Sequence, residues 1–157
     1  MTCRIAAHHF ADVRAFVAEV WRVLKPGGTF ALVDNISPDA ESTPGFSEAE
    51  LLAAALAYNA FEKLRDPSHG RCLGMVEWTA LLAAQGFTLL HKERLPKTME
   101  LRPWALRMGS DAPTLARLGG MLSEGSPALK AFLKPQAKGD EVLFTLDEAI
   151  LIARKPT

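Results

Sequence analysis

The sequence predicts a single α/β domain, and three observations carry that expectation. Short continuous apolar runs at residues 29–33 and 149–153 suit strands covered on both faces. Before and between them, residues 13–24, 48–64 and 75–85 place apolar side chains at helical spacing. Proline and glycine fall where one kind of element gives way to the other, as at Pro26-Gly27-Gly28 and Gly86.

The elements follow in order. Residues 1–5 read as the carboxyl end of a buried strand running into a loop that carries His8 and His9. Asp12 is placed to cap a helix whose Val13, Phe16, Val17, Val20, Trp21 and Leu24 share one face. That helix stops at Lys25-Pro26-Gly27-Gly28, because proline cannot continue the ladder and glycine permits the turn. The strand at 29–33 ends on Asp34-Asn35, polar residues at the edge where open α/β sheets bind ligands. After a Pro-, Asp- and Ser-rich loop at 37–45, Ser47 and Glu50 form a capping box. The helix they open should run over 48–64 until Asp66-Pro67 stops it.

A further helix over 75–85 presents Trp78, Leu81 and Leu82 inward, and residues 87–95 read as a strand whose mixed polarity suits an edge. Residues 96–138 differ: helical patterns begun by Pro103, Pro113 and Pro127 are broken by Gly109, Gly119-Gly120 and Gly125. They predict a small helical cap over one face of the sheet, before a closing strand at 142–153.

Composition excludes several classes. Lys+Arg and Asp+Glu both number 18, so neither the basic excess nor the stripe of a nucleic-acid binder is present. The longest apolar stretch, around residues 51–57, falls far short of the roughly 20 residues that span a bilayer. Arg4, His8, His9 and Asp12 interrupt any signal-peptide core, and Cys3 and Cys72 lack redox or metal spacing, so a cytoplasmic location is expected. His8, His9, His69 and His91 show no ligand spacing, and no metal is expected.

The segment TCRIAAHHF, followed by DVRAFVAEVWRVLKPGGTFALVDN, resembles the fourth strand, next helix and fifth strand of class I S-adenosylmethionine-dependent methyltransferases. Within that family the chain is most similar to the small bacterial group related to the quinone-biosynthesis C-methyltransferases. RDPSH at 65–69 and FTLDEAILIARK at 144–155 extend the resemblance over essentially the whole chain. The family's sheet has the order 3-2-1-4-5-7-6 with the seventh strand antiparallel. The resemblance therefore implies a partial Rossmann-like sheet, equivalent to strands 4-5-7-6. No G-x-G follows a strand in this sequence, so the half that grips the cofactor is expected to lie outside it.

The resemblance assigns candidate residues. Cys3, Arg4, Ile5 and Ala6 would pass near S-adenosylmethionine, largely through backbone atoms. His8 and His9 would sit at the substrate mouth, where a histidine with a pKa of about 6.5 can act as a general base. Asp34, Asn35, Arg65, Asp66 and His69 would border the methyl acceptor, and Trp104 in the cap would touch its apolar part. The residues alone favour Asp66-Pro67 as a helix stop and Arg65 as a neutraliser of the helix end, and the resemblance brings the substrate role level with that reading.

Three functional expectations follow. The first is methyl transfer to a small molecule by the carboxyl half of a methyltransferase. The second is a non-catalytic module that binds ligand or forms a homodimer through the open edge of its first strand. The third is a reading frame opened too late, at Met1.

Overall fold

The sheet grows from two strands that lie parallel, β1 (Thr2–Arg4) and β2 (Thr29–Asn35), in a computed structural model that describes residues 1–157. Between them a short turn at Ala7–His9 leads into α1 (Val13–Val23), whose first turn is capped by the Asp12 carboxylate accepting from Ala15 N at 2.9 Å. After β2 come α2 (Glu48–Arg65), α3 (Met75–Ala84), the long β3 (Thr88–Glu100), α4 (Leu101–Leu106), α5 (Ala112–Glu124), α6 (Pro127–Leu133), β4 (Gln136–Lys138) and β5 (Glu141–Arg154).

The strand order is β1-β2-β5-β3, with β4 paired to β5 and every pairing except β1–β2 antiparallel. This is a mixed open sheet in the 4-5-7-6 order that the resemblance implies. β3 is an edge strand, as its mixed polarity predicts.

The sequence differs from the structure in the stretch from residue 96. Pro96 to Glu100 belong to β3 and pair with Asp147 to Leu143 of β5, so helices begin only at Leu101. Proline is tolerated there because β3 lies at the sheet edge, where a missing N–H disrupts no second ladder. Gly119-Gly120 do not break α5; they lie inside it, and a β-carbon on Gly119 would meet Leu101 only at ordinary contact distance, 3.8 Å.

The two faces of the sheet are treated differently. On one, Phe30 and Leu32 of β2 and Leu151 and Ala153 of β5 are buried in a core that also takes in Val17 and Val20 of α1 and Trp78 and Leu82 of α3. Aromatic contacts tie this layer together: Phe16 to Phe30 at 6.0 Å and Trp21 edge-on to Phe87 at 4.9 Å between centroids. On the other face Ala31, Val33, Ile150 and Ile152 sit side by side by register and are only half buried. They are rimmed by exposed Thr2 and Arg4 on β1 and by His91 and Glu93 on β3.

Beyond β2 the β3–β5 ribbon continues, joined at its far end by β4, and α2, α4 and α6 cover it. Trp104 is 2 % exposed, stacked on Phe61 at 5.1 Å and edge-on to Phe144 at 4.9 Å. The placement of Trp104 against a substrate is thereby corrected: it is a core residue, and the apolar stretch of α2 supplies its neighbour. Because the ring is enclosed, Trp104→Ala should lower unfolding free energy by about 3–5 kcal/mol in denaturant titrations. An indole that merely lined a binding surface would leave that stability nearly unchanged.

Candidate functional site

Asp34 ends β2 on its covered face and is 1 % exposed, which makes its bonding partners decisive. Its Oδ1 accepts from His8 Nδ1 at 2.5 Å and from Asn35 N at 3.0 Å, and its Oδ2 accepts from His8 N at 2.9 Å. The carboxylate thus grips both the backbone and the ring of one histidine. With Nδ1–H given to Asp34, the neutral imidazole has its lone pair on Nε2. Nε2 has no protein partner, and it is not among the buried polar atoms that lack one, so it reaches solvent.

The electrostatics favour a basic imidazole. Burial opposes the charged form of His8, but the Asp34 hydrogen bond and charge, aided by Glu62 and Asp66, outweigh it and raise the pKa above its ordinary value. Asp34 is thereby an orienting group rather than the substrate-facing residue that its strand-end position suggests. Asn35 beside it is half buried and turns to the opposite face.

A second motif closes on this one. His69 is 1 % exposed, its ring stacks on that of His8 with centroids 5.5 Å apart, and His9 lies 4.2 Å from His8 on the same measure. Asn59 fixes the His69 tautomer: its Nδ2 donates to Ala55 O, so its Oδ1 accepts from Cys72 N at 2.7 Å and from His69 Nε2 at 2.9 Å. Burial first, then the charges of His8 and His9, push His69 down to about 4. His69 is therefore a neutral ring packed against His8, and its assignment to substrate is corrected because, like Trp104, it is enclosed.

Asp66 serves the backbone. It accepts from Ser68 N at 2.9 Å and Ser68 Oγ at 2.6 Å, making the turn that follows α2. Its assignment to substrate is corrected on that ground. Arg65 lies half buried with its guanidinium 4.4 Å above the Trp104 ring and its Nε donating to Trp104 O at 3.1 Å. His9 is exposed and meets Ser68 through Nδ1. His91, on the far edge strand, pairs with Glu93 and lies outside the cluster.

The residues of β1 border the same end of the sheet. Ile5 N donates to Val33 O at 2.8 Å, yet Ile5 has φ 48, a left-handed backbone that a β-branched residue rarely adopts. Strain of this kind is stored at functional turns. Cys3 packs partly against the core while Arg4 is exposed.

Sequence reasoning passes over Glu62 and Tyr58. Leu51, Ala54, Tyr58, Phe61 and Glu62 are the buried face of α2, so Glu62 continues an apolar stripe. A carboxylate at such a position is the signal that could have found it. Tyr58 Oη donates to Glu62 Oε1 at 3.4 Å, and burial raises Glu62 to about 7, against the pull of Arg65 and His8.

A raised carboxyl in the fold means that the unfolded chain releases a proton first, so stability falls as pH rises from about 4.5 to about 7. Glu62→Gln should therefore raise the thermal midpoint above neutrality and leave it near that of the unaltered chain at about pH 4. Nitrogen NMR of the imidazoles at about pH 5.5 should find His8 as the imidazolium and His69 still neutral.

Comparison with known proteins bears on the family and the fold as a whole. A family model described as a methyltransferase domain matches residues 1–32. YcgJ of Bacillus subtilis strain 168, a methyltransferase by name, is 37% identical over 112 residues, covering 71% of this chain and 40% of that protein. Its crystal structure superposes with a TM-score of 0.80 at 31% identity, over 99% of this chain and 63% of that one. The chain thus spans less than two thirds of YcgJ. The BH2331 protein of Bacillus halodurans C-125, described as a methyltransferase, superposes with a TM-score of 0.85 at 33% identity, over 99% of this chain and 68% of that one. At that identity and coverage, with the sheet order found here, the chain belongs to the class I S-adenosylmethionine-dependent methyltransferases.

Proposed function

We propose that this chain forms the acceptor side of S-adenosylmethionine-dependent methyl transfer to a small molecule, with His8 as general base. The observation that carries the reading is the His8–Asp34 dyad at the carboxyl ends of β1 and β2, with Nε2 as its one free ring nitrogen. Base and orienting carboxylate stand in the relation that general-base catalysis requires.

Residues 3–6 fit one wall of a cofactor site: a strained turn at a strand's carboxyl end, with Arg4 exposed beside it. Asp34 is not part of that wall, because its carboxylate is committed to His8. When bound, S-adenosylmethionine supplies an electrophilic methyl on a sulfonium. His8 Nε2 then removes the proton of the acceptor's nucleophilic atom, and Asp34 stabilises the imidazolium that results. His69 backs the His8 ring, and His9 stands exposed at the rim.

In a methyl-transfer assay, His8→Gln should lower kcat by roughly 100- to 10,000-fold and remove the acid limb of the pH profile. Amide NMR of the 157-residue chain with S-adenosylhomocysteine should shift Cys3, Arg4, Ile5, Ala6 and His8. Spectra unmoved at millimolar ligand would reject the cofactor wall.

The half-buried patch of Ala31, Val33, Ile150 and Ile152 beside the β1 edge favours a second reading. A parallel strand pair is ordinarily covered on both faces, so this surface suits a homodimer that pairs through β1. A clean monomer by light scattering would reject it.

A further inference from the structure

We propose that the turn at 66–71 is the positioning device of the His8–Asp34 dyad, and that Gly70 is its determining residue; the catalytic part rests on the reading of His8 as base. The His8 carbonyl accepts from both Gly70 N at 2.8 Å and Arg71 N at 2.9 Å. His8 is therefore held from two sides, by Asp34 through its N–H and ring and by the turn through its C=O.

Gly70 is required by proximity rather than by conformation. Its φ is not in the left-handed region, where the chain's other turn glycines Gly27, Gly45, Gly86, Gly109 and Gly139 lie. A β-carbon on it would instead stand 2.9 Å from His8 O, 3.6 Å from Phe10 O and 3.7 Å from His9 C. Those are backbone atoms, which cannot swing aside as a side chain can. Any larger residue must push the His8–Phe10 segment away from the turn.

The remaining bonds make the turn a rigid support. Asp66 holds Ser68 by two bonds, and Ser68 meets His9 Nδ1 through its carbonyl at 3.1 Å and its hydroxyl at 3.2 Å. Lys63 Nζ donates to His69 O at 2.6 Å, and Asn59 fixes the His69 ring that stacks on His8. The charged and titratable groups facing His8 are Asp34, His9, Glu62, Asp66 and His69, and three of these lie on the turn or the helix that feeds it.

The test is Gly70→Ala, read by the pH titration of the His8 ring and by its Nδ1–H resonance. Displacing His8 should lengthen its bond to Asp34, move that resonance upfield and lower the His8 pKa toward the ordinary histidine value. Gly28→Ala is the control: its β-carbon would meet Lys25 O at 2.8 Å, in the turn before β2, and it should reduce stability without moving His8. Ser68→Ala removes the side-chain bond to His9 without crowding, and should shift His8 in the same direction by less.

A folded Gly70→Ala chain with both His8 signals unchanged overturns the proposal. If that chain does not fold, unchanged signals in Ser68→Ala overturn it. Neither readout needs turnover, so displaced His8 signals in a chain that shows no methyl transfer would support the positioning role while rejecting the function.

Discussion

The fold and the site meet in one carboxylate. Asp34 is the last covered residue of β2, and a buried carboxylate is tolerable only when its oxygens are bonded. All its partners come from Asn35 beside it and from His8, which arrives at the end of the neighbouring parallel strand. The parallel pairing of β1 with β2 sets the two strand ends level, and that levelness is what lets the bond form. Removing the carboxylate would leave a buried imidazole with no reason to present Nε2 outward.

That constraint explains why α2 is built as it is. Its buried stripe is apolar at Leu51, Ala54, Tyr58 and Phe61 and then turns ionisable at Glu62, beside the dyad. The helix stops at Asp66, whose turn delivers Gly70 against the His8 carbonyl. Glu62 contributes negative potential to His8 but is itself disfavoured as a carboxylate by burial. The negative charge of Glu62 thus helps to raise the His8 pKa, while burial raises that of Glu62 itself to about 7.

The sequence carried the elements well where local chemistry is strong. The Asp12 cap, the Ser47–Glu50 capping box and the Pro26–Gly28 turn all lie where their side chains and backbone demand. It was weakest where an element depends on its neighbours. Pro96 looks like a strand breaker until β5 is known to pair with β3 as far as Glu100, and Trp104 looks like a substrate contact until the ribbon that seats it is known. In the site, histidine placement was legible from AAHHF and RDPSH, but roles were not. Whether Asp34 touches substrate or orients His8 depends on which face of β2 it occupies, and strand register decides that.

The same register separates the sheet's two faces by burial. Asp34 lies on the face covered by α1 and α3, with Phe30 and Leu32, so the dyad is anchored in the best-packed part of the core. Val33 and Asn35 point the other way, toward the half-buried patch with Ile150. The turn at 66–71 bonds the His8 carbonyl through backbone groups of its own, independently of that surface. His8 is thus held entirely within this chain, by Asp34 on one side and by the turn on the other.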